Sequence, residues 1–237
     1  MEIEVRGGEG RERKKGRSRI YQWIKQKLAL EGLFPVYPEP LYSIKNELMK
    51  NLLNYIESRF PLTNEDISSL EKCFITVKVP AQTKLLEAGK IGHYVYFLSS
   101  GIVKGYQNID GKLVIQHLVS EQDFFTSLES FMSKTPSLDY YEAITDCKLV
   151  KIAKPDLELL QKTTSFWSDI VATVTNEHLN CKLERIKDLQ ILTAKERYLK
   201  FLNQHPKFAL QVSVDNIASF LGMEPQSLSR IRKQITF

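Results

Sequence analysis

VSVDNIASFLGMEPQSLSRIRKQI, residues 212–235, predicts two short helices separated by a tight turn. Ser213 is a residue type that caps helix N-termini, and the apolar residues after it recur at helical spacing. Gly222 permits the left-handed conformation in which many helices end, and Pro225 suits the first turn of the next helix. The stretch therefore predicts a helix-turn-helix.

The second of these helices separates an apolar face from a polar face. Leu228, Ile231 and Ile235 are expected to face the core of the domain. Arg, Gln and Ser are side chains that reach base edges and phosphates, so the polar face is interpreted as DNA-binding rather than as an ordinary solvated helix face. The predicted DNA-binding residues are Gln226, Ser227, Ser229, Arg230 and Lys233.

The charge of the chain supports this interpretation. The 237 residues carry a net charge of +5, and residues 193–237 contain seven Lys or Arg against three Asp or Glu. A small helical segment with this basic excess is typical of a phosphate-facing surface, although charge alone also fits a solvated helix.

Composition and motifs exclude several other classes of protein. No apolar run approaches the roughly 18 residues of a membrane span, and no secretory signal is visible, so we expect a cytoplasmic protein that does not enter a membrane. The three Cys and four His are scattered, without metal-ligand spacing. No catalytic motif is present, so we expect neither a metal site nor catalysis, and no cofactor is implied.

The chain divides into four regions. Residues 1–48 include a Gly-rich and charge-rich stretch, RGGEGRERKKGRSR, and are predicted to be either disordered or an extension foreign to the native protein, which would begin at Met49. Residues 49–162 contain two helices and then many short strand-like runs, with Asp110–Gly111 as a hairpin turn. This pattern predicts an antiparallel sandwich or barrel. A long helix over 163–192 and the helix-turn-helix domain over 193–237 follow.

The long helix carries an apolar stripe and has no Gly or Pro. A stripe over some 25 residues, or about 37 Å at 1.5 Å per residue, is longer than one small barrel needs. Two alternatives follow: the helix packs along its own barrel and C-terminal domain, or it pairs with a twin helix in a symmetric dimer. The predicted dimer interface consists of Phe166, Ile170, Val174, Leu183 and Ile186.

The order barrel, long helix, helix-turn-helix resembles the Crp/Fnr family of bacterial transcription regulators. The segments IASFLGMEPQSLSRIRKQI, GHYVYFLSSGIVKGY, DFFTSLESF and AITDCKLVKI carry the resemblance, and TAKERYLKFLNQHP is similar to a branch common in Bacteroidetes. The resemblance implies an α+β fold: an antiparallel, cyclic-nucleotide-binding-like β-barrel (a double-stranded β-helix), a dimerisation helix and a winged-helix-like domain. It also implies a homodimer that binds an inverted repeat in promoter DNA and acts with RNA polymerase. Gln226, Ser229 and Arg230 fall on the base-contacting positions, with Gln226 where a glutamate is usual.

The chain departs from the family where cyclic AMP would bind. Thr126 and Ser127 stand at the positions of the Gly-Glu pair that engages the ribose, and Ser137 and Leu138 replace the Arg-Ser pair that engages the phosphate. A buried cyclic phosphate without a cation would be poorly compensated, so we expect these four residues to line a pocket for an unknown small-molecule effector, or for none. Since the chain stops at Phe237, the wing hairpin is expected to be missing.

Two functional hypotheses remain. The first is a dimeric, sequence-specific transcription regulator. The second is a barrel-based sensor or interaction protein whose helical end packs without reading DNA. Outward Ser229, Arg230 and Lys233 favour the first, because packing alone would accept any polar residue at these positions.

Overall fold

The computed structural model describes residues 39–164 and 166–235, with side chains from residue 47 onward. Most of the predicted N-terminal extension, residues 1–38, therefore lies outside the described residues, as do residues 236 and 237 beyond the last helix. No helix within the described ranges is both long and apolar enough to cross a membrane.

Two helices precede the first strand, and the first of them corrects one predicted boundary. Helix α1 (Glu39–Glu57) begins ten residues before Met49, and Leu48 at its centre is 0% exposed. Leu48, Leu52 and Ile56 recur every four residues, so they lie on one buried face of the same helix. A boundary after Leu48 would cut this helix, and the predicted extension is therefore too long.

Helix α2 (Asn64–Cys73) begins with the capping box that the sequence predicts. The backbone N–H of Asp66 donates to Oγ1 of Thr63 over 3.2 Å, and the backbone N–H of Thr63 donates to Oδ2 of Asp66 over 2.9 Å. These bonds satisfy two N–H groups that have no partner inside the helix.

Eight strands form two antiparallel four-stranded sheets, as predicted for the barrel. The first sheet has the order β1-β8-β3-β6 and the second has the order β2-β7-β4-β5, which leaves β5 at an edge. The strands are β1 (Phe74–Val79), β2 (Lys84–Leu86), β3 (Tyr94–Ser100), β4 (Val103–Ile109), β5 (Lys112–Val119), β6 (Asp123–Phe125), β7 (Tyr140–Ala143) and β8 (Cys147–Ala153).

The two sheets face each other across a shared core. Alternate residues of the strands point inward, so Leu98 of β3 and Leu149 of β8 meet Val103 of β4 and Ala143 of β7, and all four are 0% exposed. At the tip of the β4–β5 hairpin, Asp110 and Gly111 both have positive φ, in agreement with the predicted Asp-Gly turn.

Strand β6 and the short helix α3 (Leu128–Ser133) were not predicted. Both lie in DFFTSLESF, where runs of three and six residues are too short to show a clear period of two or of 3.6.

Two further helices connect the barrel to the C-terminal domain. Helix α4 (Lys154–Thr163) has Pro155 in its first turn, as predicted, and helix α5 (Trp167–Ile191) is the predicted long helix. Trp167 and Ile170 near its start are buried, and the Trp167 ring lies edge-on to Phe74 of β1 with centroids 5.8 Å apart. The first turns of α5 therefore pack on the chain's own barrel.

Four helices form the C-terminal domain: α6 (Ala194–Gln204), α7 (Pro206–Gln211), α8 (Val214–Phe220) and α9 (Pro225–Ile235). Ser213 caps α8 by accepting a hydrogen bond from the backbone N–H of Asn216, and Gly222 has φ +64°, as the sequence predicts. Helix α7 was not predicted, because one turn opened by Pro206 resembles a loop in sequence. Tyr198, Phe201, Ile217, Leu228 and others build the core of the domain.

Candidate DNA-binding face and sensor cavity

The last helix exposes the residues that the sequence assigns to DNA. Leu228 is 0% exposed and Ile231 is 9% exposed, so this face anchors α9 in the domain core. Four of the five predicted residues are exposed on the other side, while Ser227 is partly buried. The exposed residues are Gln226, Ser229, Arg230 and Lys233. Helix α9 is thus held by one face and is free to contact a groove with the other.

The turn before α9 is fixed by contacts with neighbouring helices. A Cβ atom added to Gly222 would lie 2.6 Å from Cδ2 of Leu189, so a larger residue would not fit there without movement. Arg197 of α6 donates from Nε to the Leu221 carbonyl over 2.9 Å and from Nη1 to the Leu192 carbonyl over 2.7 Å. The sequence reasoning missed Arg197, because nothing in its spacing indicates that a guanidinium satisfies the end of another helix.

A cavity of about 190 Å³ opens in the barrel beside the segment that matches the family's phosphate-binding region. Its wall is largely aromatic and aliphatic. Phe125 stacks between Tyr96 and Tyr141, with ring centroids 5.1 and 5.3 Å apart. The lining comprises residues 84–87 and 90–94, together with Tyr96, Phe125, Thr126, Ser127 and Tyr141.

Three of the four predicted effector residues lie close together. The Ser137 hydroxyl donates to Oγ of Ser127 over 2.9 Å, and Ser127 donates to Oδ2 of Asp139 over 2.8 Å. Thr126 donates to the Tyr94 carbonyl over 2.9 Å. Leu138 is 71% exposed and does not join this cluster. Thr126 and Ser127 line the cavity, whereas Ser137 lies behind Ser127.

This donor set does not fit a cyclic nucleotide. The carboxylate of Asp139 accepts hydrogen bonds from Ser127 and from Nε2 of Gln107, over 2.8 Å in each case. A cyclic phosphate brought to Ser127 would therefore meet a carboxylate where the family places an arginine, and both charges would repel each other in a poorly solvated site.

His117 of β5 lies beside this aromatic wall and was not singled out from the sequence. Its ring stacks on Tyr141 with centroids 6.1 Å apart. Burial lowers the pKa of His117 to about 4, and positive charge from Lys182 acts in the same direction. The imidazole is therefore neutral at physiological pH.

The second half of α5 exposes apolar residues that no described residue covers. Leu179, Leu183 and Ile186 are 53%, 54% and 52% exposed. Of the predicted interface residues, Leu183 and Ile186 belong to this surface, Phe166 and Val174 are partly buried, and Ile170 is only 4% exposed. The continuous stripe hides two surfaces, because the beginning of α5 packs on its own barrel.

The exposed residues of α5 follow a coiled-coil spacing. Exposed positions recur at alternating intervals of four and three, and together they are named the seam: Ala172, Asn176, Leu179, Leu183, Ile186 and Gln190. Alternating intervals of three and four are the a and d positions of a heptad repeat. This pattern is visible in the sequence and could have separated the seam from the buried positions.

Comparison with known proteins supports the fold. Residues 76–164 match the family model of the cyclic nucleotide-binding domain. No curated protein sequence matches the chain.

Several solved structures resemble the chain beyond the barrel. FixK2 from Bradyrhizobium japonicum is 21% identical with a TM-score of 0.61, over 68% of this chain and 84% of FixK2. The regulator CLP of Xanthomonas campestris is 17% identical with a TM-score of 0.59, over 71% of this chain and 89% of CLP. A putative regulator of the Crp/Fnr family from Eubacterium rectale is 16% identical with a TM-score of 0.59, over 76% and 87% of the two chains. The chain thus has the fold of these regulators.

Proposed function

We propose that the chain is a homodimeric, sequence-specific regulator of transcription of the Crp/Fnr type, from the branch common in Bacteroidetes. It acts in the cytoplasm and binds an inverted repeat in promoter DNA, where it meets RNA polymerase. The observation that carries this proposal is the exposed polar face of α9 in a helix-turn-helix whose other face is buried.

The geometry of α9 suits reading of a major groove. Gln226 and Arg230 are four residues apart on the exposed face, so both can reach the same groove floor. Arg pairs in bidentate fashion with guanine O6 and N7, and Gln pairs with adenine N6 and N7. Lys233, one turn further from the N-terminus, is positioned for a phosphate.

The seam supports the proposed dimer. Three half-exposed aliphatic side chains in one line need cover, and a second copy provides the same line in return. Asn176 lies at an a position of the heptad, where facing Asn side chains favour a parallel pair in one register. A parallel pair about a two-fold axis presents two recognition helices, as an inverted repeat requires.

The barrel is proposed to sense a small molecule other than a cyclic nucleotide, or no molecule. The aromatic cavity and the Ser127–Asp139 contact support this reading, because they offer apolar surface and negative charge instead of a phosphate site. CLP is described as responsive to c-di-GMP, which shows only that a protein of this fold can answer to another nucleotide.

A gel-shift assay with DNA from upstream of the protein's own coding region tests the proposal. We expect a retarded complex that persists in excess scrambled duplex of the same length. A complex that scrambled DNA removes as readily as the promoter DNA would instead favour a sensor or interaction protein that does not read sequence.

A further inference from the structure

The helix-turn-helix is attached to the edge of the barrel by hydrogen bonds to main-chain atoms. Ser219 of α8 donates its hydroxyl to the Leu113 carbonyl over 3.1 Å and accepts from the backbone N–H of Ile115 over 3.0 Å. Both partners belong to β5, the edge strand of its sheet. Ser219 thus occupies hydrogen-bonding groups that an edge strand would otherwise offer to another strand.

Arg185 of the long helix completes this attachment. Its Nη1 donates to the Gln116 carbonyl over 3.0 Å, and its Nη2 donates to the Ile115 carbonyl over 3.1 Å. Nε donates to the Phe220 carbonyl over 3.0 Å, and the guanidinium lies 4.5 Å from the centroid of the Phe220 ring. One side chain therefore joins the long helix, the barrel edge and the first helix of the helix-turn-helix.

Apolar packing and two ion pairs extend the contact. Ile102, Leu118 and Ile144 of the barrel region pack with the core of the C-terminal domain. Lys112 Nζ lies 3.5 Å from Oε1 of Glu224, and Lys207 Nζ lies 2.9 Å from Oε2 of Glu121. The side chains of Lys112 and Glu224 are 73% and 69% exposed, so this ion pair adds little energy, but it locates the hairpin tip.

The hairpin tip lies at the end of α9 that would enter DNA. Glu224, the partner of Lys112, immediately precedes Pro225, the first residue of α9. Recognition helices contact bases through their N-terminal residues. A helix about 10–12 Å across already fills a major groove about 12 Å wide, so no space remains for a hairpin beside it.

We infer that Arg185 and Ser219 hold the helix-turn-helix on β5 in a closed form, and that the protein must release this contact before α9 enters a major groove. This inference rests on the proposed DNA-binding function. Arg185 and Ser219 are positioning residues: they contact the barrel and α8, and DNA binding responds to them through the placement of α9.

The same strand connects the contact to the sensor cavity. His117 lies between Gln116, which accepts from Arg185, and Leu118, which packs on the C-terminal core. Its ring stacks on Tyr141, which lines the cavity. A molecule that displaces Tyr141 would therefore disturb β5 at the residues that hold the DNA-binding domain.

The test compares the full-length protein with Arg185→Gln, Ser219→Ala and the control Lys187→Gln, which removes the same charge as Arg185→Gln at an exposed site on α5. Amide hydrogen exchange at Ile115 reports the contact without DNA, and fluorescence anisotropy reports the affinity for a duplex selected by the unmodified protein from a random-sequence pool. We expect faster exchange at Ile115 and about tenfold tighter DNA binding in both positioning variants, with Lys187→Gln unchanged in exchange and no tighter on DNA.

Three results would overturn the inference or its premise. Unchanged exchange at Ile115 in both variants means that Arg185 and Ser219 do not hold the domain. Faster exchange with equal or weaker DNA binding than the control means that the docked form does not block DNA. Faster exchange without DNA binding by any form contradicts the proposed function, while the contact on β5 stands.

Discussion

The seam on α5 gives a quantitative prediction for the double substitution Leu183→Glu with Ile186→Glu. The two side chains are 54% and 52% exposed, so roughly half of each remains to be buried by a second copy. Full burial of such a side chain contributes about 1.5–3 kcal/mol, so half-burial contributes about 1 kcal/mol for each. Two residues in each of two copies then contribute about 4 kcal/mol, which weakens the dimer about a thousandfold when they are lost.

Sedimentation velocity at micromolar concentration measures this effect. We expect a dimer for the unmodified protein and a monomer for the double variant. The control is Leu159→Glu on α4, because Leu159 is 53% exposed and differs from Leu183 mainly in location. A monomeric unmodified protein, or a double variant that stays dimeric, would refute the assignment of the seam. Dissociation by Leu159→Glu alone would move the interface to α4.

Three further predictions concern the barrel and the helix before it. Isothermal titration calorimetry with cyclic AMP and cyclic GMP is expected to give no binding, because Asp139 lies beside Ser127 where a cation would be needed; a micromolar dissociation constant for either nucleotide would contradict this. Since burial lowers the pKa of His117 from 6.5 to about 4, the unfolded chain takes up a proton first as the pH falls. The contribution of neutral His117 is therefore complete above pH 6.5 and is lost as the pH falls toward 4. This loss is on the order of 2 kcal/mol between neutral pH and pH ~5. Urea unfolding of His117→Gln should show a smaller loss than the unmodified protein or the exposed-site control His93→Gln, and an equal loss would exclude His117 as the cause. Leu48→Ala should destabilise the protein by about 2–5 kcal/mol because Leu48 is fully buried, whereas Leu138→Ala, at a residue 71% exposed, should have little effect. Equal unfolding free energies of these two variants would remove α1 from the folded core.

Local sequence signals predicted much of the fold. Three strands, Phe74–Val79, Lys84–Leu86 and Tyr94–Ser100, have the predicted bounds, because alternation of apolar residues and flanking turn residues are both strong there. The caps at Thr63 and Ser213 and the turn at Gly222 also follow from short-range chemistry. These features depend on residues within four positions of one another.

Features that depend on distant residues could not be predicted. Arg185 reaches carbonyls about 70 residues earlier in the chain, and an Arg on a helix gives no sign of such a partner. Ile170 looked like a dimer residue because it continues the apolar stripe, yet the chain's own fold buries it. Asp139 reaches Ser127 only when β7 and the segment after β6 come together.

The central claim is that α9 reads DNA sequence, and selection of binding sites from a random pool tests it most directly. The unmodified protein should enrich an inverted repeat. Arg230→Ala should lose about 1–3 kcal/mol of affinity and relax the preference at one base pair in each half-site, whereas Lys233→Ala should weaken all sequences alike and reduce the salt slope by about one. If Arg230→Ala enriches the same repeat with the same preference, or if the unmodified protein enriches no sequence, the proposed role of α9 is contradicted.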